Sequence, residues 1–173
     1  MRFRVVLFTL LLVPGGVVAQ APIGYPVANL AQVMRSTYFP NANIIFDVQM
    51  RDPEAPAETT APDGTVSSTF SSIYTGWQLV ENAGLMLAEG STLITLPGRL
   101  CQNGRPVPAG YDWQKYAREM TATGWAVYQA AKERNQERVA ELTNDIATGC
   151  ANCHSVYRDK EDRCIPDFGV TRQ

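Results

Sequence analysis

Residues 136–157 read QERVAELTNDIATGCANCHSVY and follow an asparagine at 135. Within this stretch Val139, Leu142, Ile146, Cys150, Cys153 and Tyr157 recur in steps of three, four, four, three and four. That is the spacing of one face of an α-helix, with polar residues on the other side. Such a stripe is stable only when neighbouring elements cover it, so the rest of the chain must supply partners.

Three further segments have the same character. The first spans about Val27 to Gln49 and carries Val27, Leu30, Met34 and Tyr38 on one stripe, with Pro40 inside it. Proline removes a backbone donor and disfavours helical geometry at Phe39, which predicts a kink, or a stop with a restart at Asn41 or Asn43. The second runs from about Ser68 to Gly90 with Phe70, Ile73, Trp77, Val80, Gly84 and Leu87 in line, and Gly90 is read as its stop. The third opens at Tyr111-Asp112, with Asp112 as a candidate cap, and aligns Trp113, Tyr116, Ala117, Met120, Gly124, Val127 and Ala131. Between them lie a proline-rich linker from Arg51 to Val66, with an Asp63-Gly64 turn, and a second irregular stretch from Leu96 to Gly110. No run of period two competes with these helices. The expected fold is all-α: one domain over residues 20–173, built as an antiparallel, up-down-up-down four-helix bundle.

Composition agrees with a globular domain and removes some functions. The 173 residues are 45% hydrophobic and 18% charged, with 15 basic and 17 acidic side chains. Nothing here offers the cationic surface that nucleic-acid binding requires. Arg2 and Arg4 precede an apolar run from Val5 to Val13, a Pro-Gly-Gly break and Val17-Val18-Ala19, which is the pattern of an export signal cleaved after Ala19. The run is too short to span a bilayer, and no other stretch is apolar enough, so stable membrane insertion is not expected. An exported chain holds its cysteines in an oxidising compartment.

Cys150-Ala151-Asn152-Cys153-His154 is the C-x-x-C-H pattern of covalent haem attachment. At about 100° per residue, Cys150, Cys153 and His154 fall within an arc of about 100°. Two thiols can then add across the two haem vinyl groups, sulfur to one carbon and hydrogen to the other, while the adjacent imidazole reaches the iron. Two other readings use the same residues. A thioredoxin-like dithiol needs a β-strand before its helix. A zinc site needs four ligands, and with one histidine in the chain it would have to recruit a remote cysteine.

With CANCHSVYR at residues 150–158 closing the last of four expected helices in an exported chain, the sequence resembles the class II c-type cytochromes, the cytochrome c′ family. The resemblance covers nearly all of residues 20–173 in helix order, but its specific residues sit in that one segment. It implies a single haem c held by Cys150 and Cys153, His154 as proximal ligand and a periplasmic location. It also implies a basic residue close to the haem at Arg158, for which the alternative is a solvated helix end.

The sixth iron position decides between electron transfer and ligand binding. A second histidine is excluded by the count. In the expected bundle Met50 is at the wrong end and Met86 points outward, leaving Met34 and Met120. The resemblance implies that the first helix supplies this side, with methionine in six-coordinate members, which favours Met34 and leaves Met120 as core. Cys101 and Cys164 remain, both near the haem end of the expected bundle, and a disulfide between them is the expectation against two free thiols. The first functional expectation is a periplasmic electron carrier docking transiently with redox proteins. The second is a five-coordinate haem protein that binds nitric oxide or carbon monoxide. An enzyme such as a peroxidase has least support, because no distal imidazole is left. Family members often pair as homodimers through outer helix faces, and Trp125 is the one candidate contact here.

Overall fold

A computed structural model describes residues 25–55, 58–68, 73–158 and Cys164. Residues 1–19, read above as an export signal, lie outside these, as does Phe70. The described chain is mostly helical, and no helix in it is long and apolar enough to cross a membrane.

Helix α1 (Leu30–Val33) starts three residues later than the stripe suggested, because Asn29 and Gln32 form a reciprocal capping box. Asn29 Oδ1 accepts from the Gln32 N–H at 2.9 Å, and Gln32 Oε1 accepts from the Asn29 N–H at 2.8 Å. Val27 is consequently outside the helix and exposed. The chain continues unbroken through a π-turn, Met34–Tyr38, into α2 (Phe39–Asp47). The expected stop and restart at Pro40 does not occur. The widened turn sends the Phe39 N–H back five residues to the Met34 carbonyl, and Pro40 falls in the first turn of the α-helix that follows, where a missing N–H matters less. Asn41 and Asn43 are not restart caps either, since their side-chain amides donate to the Thr37 and Phe39 carbonyls, both at 2.6 Å.

The linker is more ordered than it reads. Strands β1 (Glu58–Thr60) and β2 (Val66–Ser68) pair antiparallel, Glu58 opposite Ser68 and Thr60 opposite Val66. Thr65 N–H donates to Asp63 Oδ1 at 2.9 Å across the turn. Three-residue strands are too short to show a period of two. Helix α3 (Gly76–Thr95) therefore starts eight residues later than expected and leaves Ile73 exposed. Trp77, Val80, Gly84 and Leu87 are buried as the stripe requires. Gly90 does not stop the helix; a Cβ there would stand 3.3 Å from the Tyr38 ring, so glycine at this position lets two helices meet.

Helix α4 (Tyr111–Lys132) has Gly110 at its cap position with no side-chain cap bond, and Asp112 lies within the first turn rather than capping. Helix α5 (Gln136–Tyr157) begins as expected, with Asn135 Oδ1 accepting the Arg138 N–H at 2.9 Å. Packing is most extensive between α3 and α4, then between α4 and α5, and α2 touches both α3 and α5. The Trp113 indole N–H donates to the Ile94 carbonyl at 3.3 Å, and the Ser91 and Thr121 hydroxyls lie 2.5 Å apart, so α3 and α4 run antiparallel. Gln136 Nε2 donates to the Val48 carbonyl at 3.1 Å, bringing the end of α2 to the start of α5. Ile45, Val80, Leu87, Trp113, Val127, Val139 and Ile146 form the centre of the core. Each such side chain contributes roughly 1.5–3 kcal/mol by leaving water.

The loop between α3 and α4 clamps the entry to α1. Leu30 N–H donates to the Leu100 carbonyl at 2.8 Å, and the buried Arg99 guanidinium donates to the Leu93 and Ala28 carbonyls. Cys101 and Cys164 lie at disulfide distance with their Cα atoms 6.1 Å apart, and the Cys164 N–H donates to the Tyr157 carbonyl at 2.8 Å. This link joins the loop to the chain beyond α5. Cys101→Ser with Cys164→Ser should cost about 2–4 kcal/mol, lowering the melting temperature by roughly 4–16 °C. Calorimetry of the variant, with alkylation mapping of the non-reduced parent, checks both the effect and the pairing.

Candidate haem-attachment site

The last turns of α5 place Cys150, Cys153 and His154 side by side because they share the helix face that also carries Ile146 and Tyr157 into the core. All three are half-buried. They form part of the wall of a cavity of about 540 Å³, within the ~300–1,000 Å³ range of cofactor pockets. Leu30, Met34, Tyr38 and Ala42 from the first helical run line it, with Leu87 and Ile94 from α3 and Trp113, Tyr116 and Met120 from α4. Tyr157 is fixed beneath, its ring edge-on to Trp113 at 4.8 Å and to Tyr116 at 6.3 Å.

Burial raises both thiols. Cys153 is pushed up to about 12, with Cys150 adding to the effect of burial. Burial raises Cys150 too, with the Arg158 guanidinium acting against it. A thioredoxin-like dithiol also needs a β-strand leading into its helix, and the element before α5 is helix α4. The zinc reading needs a remote cysteine as fourth ligand beside Cys150, Cys153 and His154, and Cys101 and Cys164 are engaged with each other.

Each residue singled out in the sequence can now be located. Arg158 caps α5, its N–H donating to the His154 carbonyl at 2.9 Å, and it is exposed yet lines the cavity. Met34 is half-buried and opens the π-turn; Met120 is buried; both line the cavity. Met50, 89% exposed, and Met86, 40% exposed, do not. Trp125 is half-exposed and leans on Tyr128, with ring centroids 5.1 Å apart.

Two cavity residues had drawn no attention as site residues. Arg35 follows Met34 and adds a second basic group to the lining. Tyr38 is buried, and burial together with the nearby thiols drives its phenol above the ordinary range, which holds it protonated. Its position on the Met34 stripe was legible; the state of its hydroxyl was not. In comparisons with known proteins the chain matches no family model, no curated protein and no solved structure.

Proposed function

We propose that this chain is a mono-haem c-type cytochrome of four-helix-bundle architecture, exported to the periplasm, that transfers electrons. The observation that carries the reading is the meeting of Cys150, Cys153 and His154 on one cavity wall with Met34 on the same cavity. The residues present fit the group: two thiols and an imidazole on one helix face, aromatic and aliphatic walls, and basic residues Arg35 and Arg158 in the lining, where propionates need charge partners. Haem, when bound, supplies an iron that cycles between ferric and ferrous.

The chain's own residues do the rest. Cys150 and Cys153 would hold the macrocycle at two points, and His154 would ligate its iron. Tyr157, wedged between Trp113 and Tyr116, keeps the end of α5 from shifting. Met34 would supply the second protein ligand to the iron, and its thioether would raise the potential. The aromatic and aliphatic walls would shield the group from part of the solvent and so would lower the reorganisation that accompanies a change of iron charge. Partners are redox proteins that dock transiently. The alternative is a five-coordinate haem protein binding small gaseous ligands, in which Met34 would remain part of the cavity wall.

A spectrum separates the two. The parent protein should be low-spin with a far-red thioether-to-ferric band, and Met34→Ala should abolish that band and leave a high-spin ferrous haem whose Soret peak shifts with carbon monoxide. A parent that already behaves like the variant selects the second reading.

A further inference from the structure

The first helical run meets the cavity in steps of four: Leu30, Met34, Tyr38, Ala42 and Phe46 all line it. A regular α-helix turns about 100° per residue, so each step of four overshoots by about 40°. Over the whole run Phe46 would stand about 160° from Leu30, on nearly the opposite face. The π-turn Met34–Tyr38 takes in one extra residue, because the Phe39 N–H donates to the Met34 carbonyl rather than to that of Arg35. It thereby turns the second half of the run back by about 100°, and the divergence falls to about 60°, within the width of one helix face.

Both ends of the run are held by other parts of the fold. The Leu30 N–H donates to the Leu100 carbonyl at 2.8 Å, and the Val48 carbonyl, just beyond α2, accepts from Gln136 Nε2 at 3.1 Å. The phase between Met34 and Phe46 is therefore set by the turn between these anchors. Its cause can be read four residues on. In a regular helix residue 40 would donate to the Ser36 carbonyl, but Pro40 has no N–H and its ring clashes with that carbonyl. A widened turn just ahead of the proline avoids both faults, and such turns concentrate at functional sites.

We propose that Pro40 is a positioning residue: by enforcing the π-turn it keeps Met34 in phase with Ala42 and Phe46, so that the thioether faces the cavity as a ligand for the iron. This rests on the haem reading, with Met34 as the second protein ligand, and adds the device that aims it. Pro40 is exposed and stands outside the lining, so its effect passes through the backbone.

The test uses the matured full chain in three forms: the parent, Pro40→Ala, and Pro40→Ala with Ser36 deleted. Alanine restores the missing donor, and the run should become a regular α-helix with its two halves out of phase. Ser36 is exposed and outside the lining; deleting it removes the residue that the π-turn absorbs and returns a regular helix to within about 60°. Pro40→Ala should keep its covalent haem and its far-UV circular dichroism but lose the far-red thioether band and become high-spin. The deletion should bring the band back, a rescue that a merely structural role would not give. A crystal structure of Pro40→Ala should show the Phe39 N–H on the Arg35 carbonyl. A colourless parent at the bare polypeptide mass removes the haem reading, and the proposal falls with it. A pigmented parent without the thioether band keeps the haem and overturns the proposal. So does a Pro40→Ala protein that retains the band or the π-turn, with the haem reading left intact. Should Pro40→Ala take up no haem, the deletion variant decides: recovery of pigment and band supports the proposal, and failure of both overturns it.

Discussion

Cys150→Ala/Cys153→Ala, expressed where C-x-x-C-H motifs are matured, should carry no covalent haem: acid–acetone extraction should strip all pigment from the variant and none from the parent. The effect is all-or-none because both attachment points lie on one helical arc, and nothing else in the cavity lining offers a thiol once Cys164 is held by Cys101. Intact mass under denaturing conditions should differ by one haem as well as by the two substitutions. Far-UV circular dichroism guards against misfolding, since the remainder of α5, from Asn135 to Ile146, is capped and buried without reference to the cysteines. A parent with bound zinc and no absorbance near the Soret region would reject the assignment. Single variants should keep one thioether and a weakened, extractable fraction. His154→Ala should keep both links and lose the proximal ligand, giving a pigment with altered spin state rather than a colourless chain.

The helices around this site were legible to different degrees, and the differences have physical causes. Helix α5 could be read in full because its period, its asparagine cap and its stripe are all local. The outward position of Met86 followed from helix phase, and the placement of Met50 away from the cavity from helix order. Pro40 announced a disturbance, but its form depended on whether a carbonyl five residues back could replace the one four back, which one residue cannot reveal. Gly90 shows the harder case. The same glycine suits a helix end and a close approach, and what decides is Tyr38, 52 positions away in sequence and invisible to any local window. The hairpin was missed for want of length, and the late start of α3 follows from it, with Gly76 at φ +57° seated beneath the Pro53 carbonyl. Of the site, the attachment residues were legible as a motif. The unpaired Tyr38 phenol was not, because an absent hydrogen bond has no sequence signal.

Gly124→Ala should destabilise the chain by about 2 kcal/mol or more, a loss that does not depend on haem. A Cβ at 124 would stand 2.5 Å from the Ala88 nitrogen, 2.8 Å from the Gly84 oxygen and 3.0 Å from the Leu87 carbonyl carbon. All three are backbone atoms within α3, so no rotamer change relieves the clash; the two helices must part. Nearby, Trp113–Ile94 and Ser91–Thr121 tie the same pair together, so separation at Gly124 also strains those bonds and loosens packing around Leu87 and Val127. Overpacking of a core typically costs about 1–3 kcal/mol and sometimes more, and a backbone-on-backbone clash belongs at the upper end. Against it stands a gain of about 0.8–1 kcal/mol in helix propensity from glycine to alanine. Gly84→Ala should act in the same direction, since its Cβ would meet the Tyr128 nitrogen at 2.8 Å and the Gly124 oxygen at 3.0 Å. Because one parting of α3 from α4 relieves both clashes, the double variant should lose less than the two single losses combined. Urea denaturation of the parent, both singles and the double measures the coupling. Strict additivity, or a Gly124→Ala chain as stable as its parent, would mean that α3 and α4 do not touch backbone to backbone here.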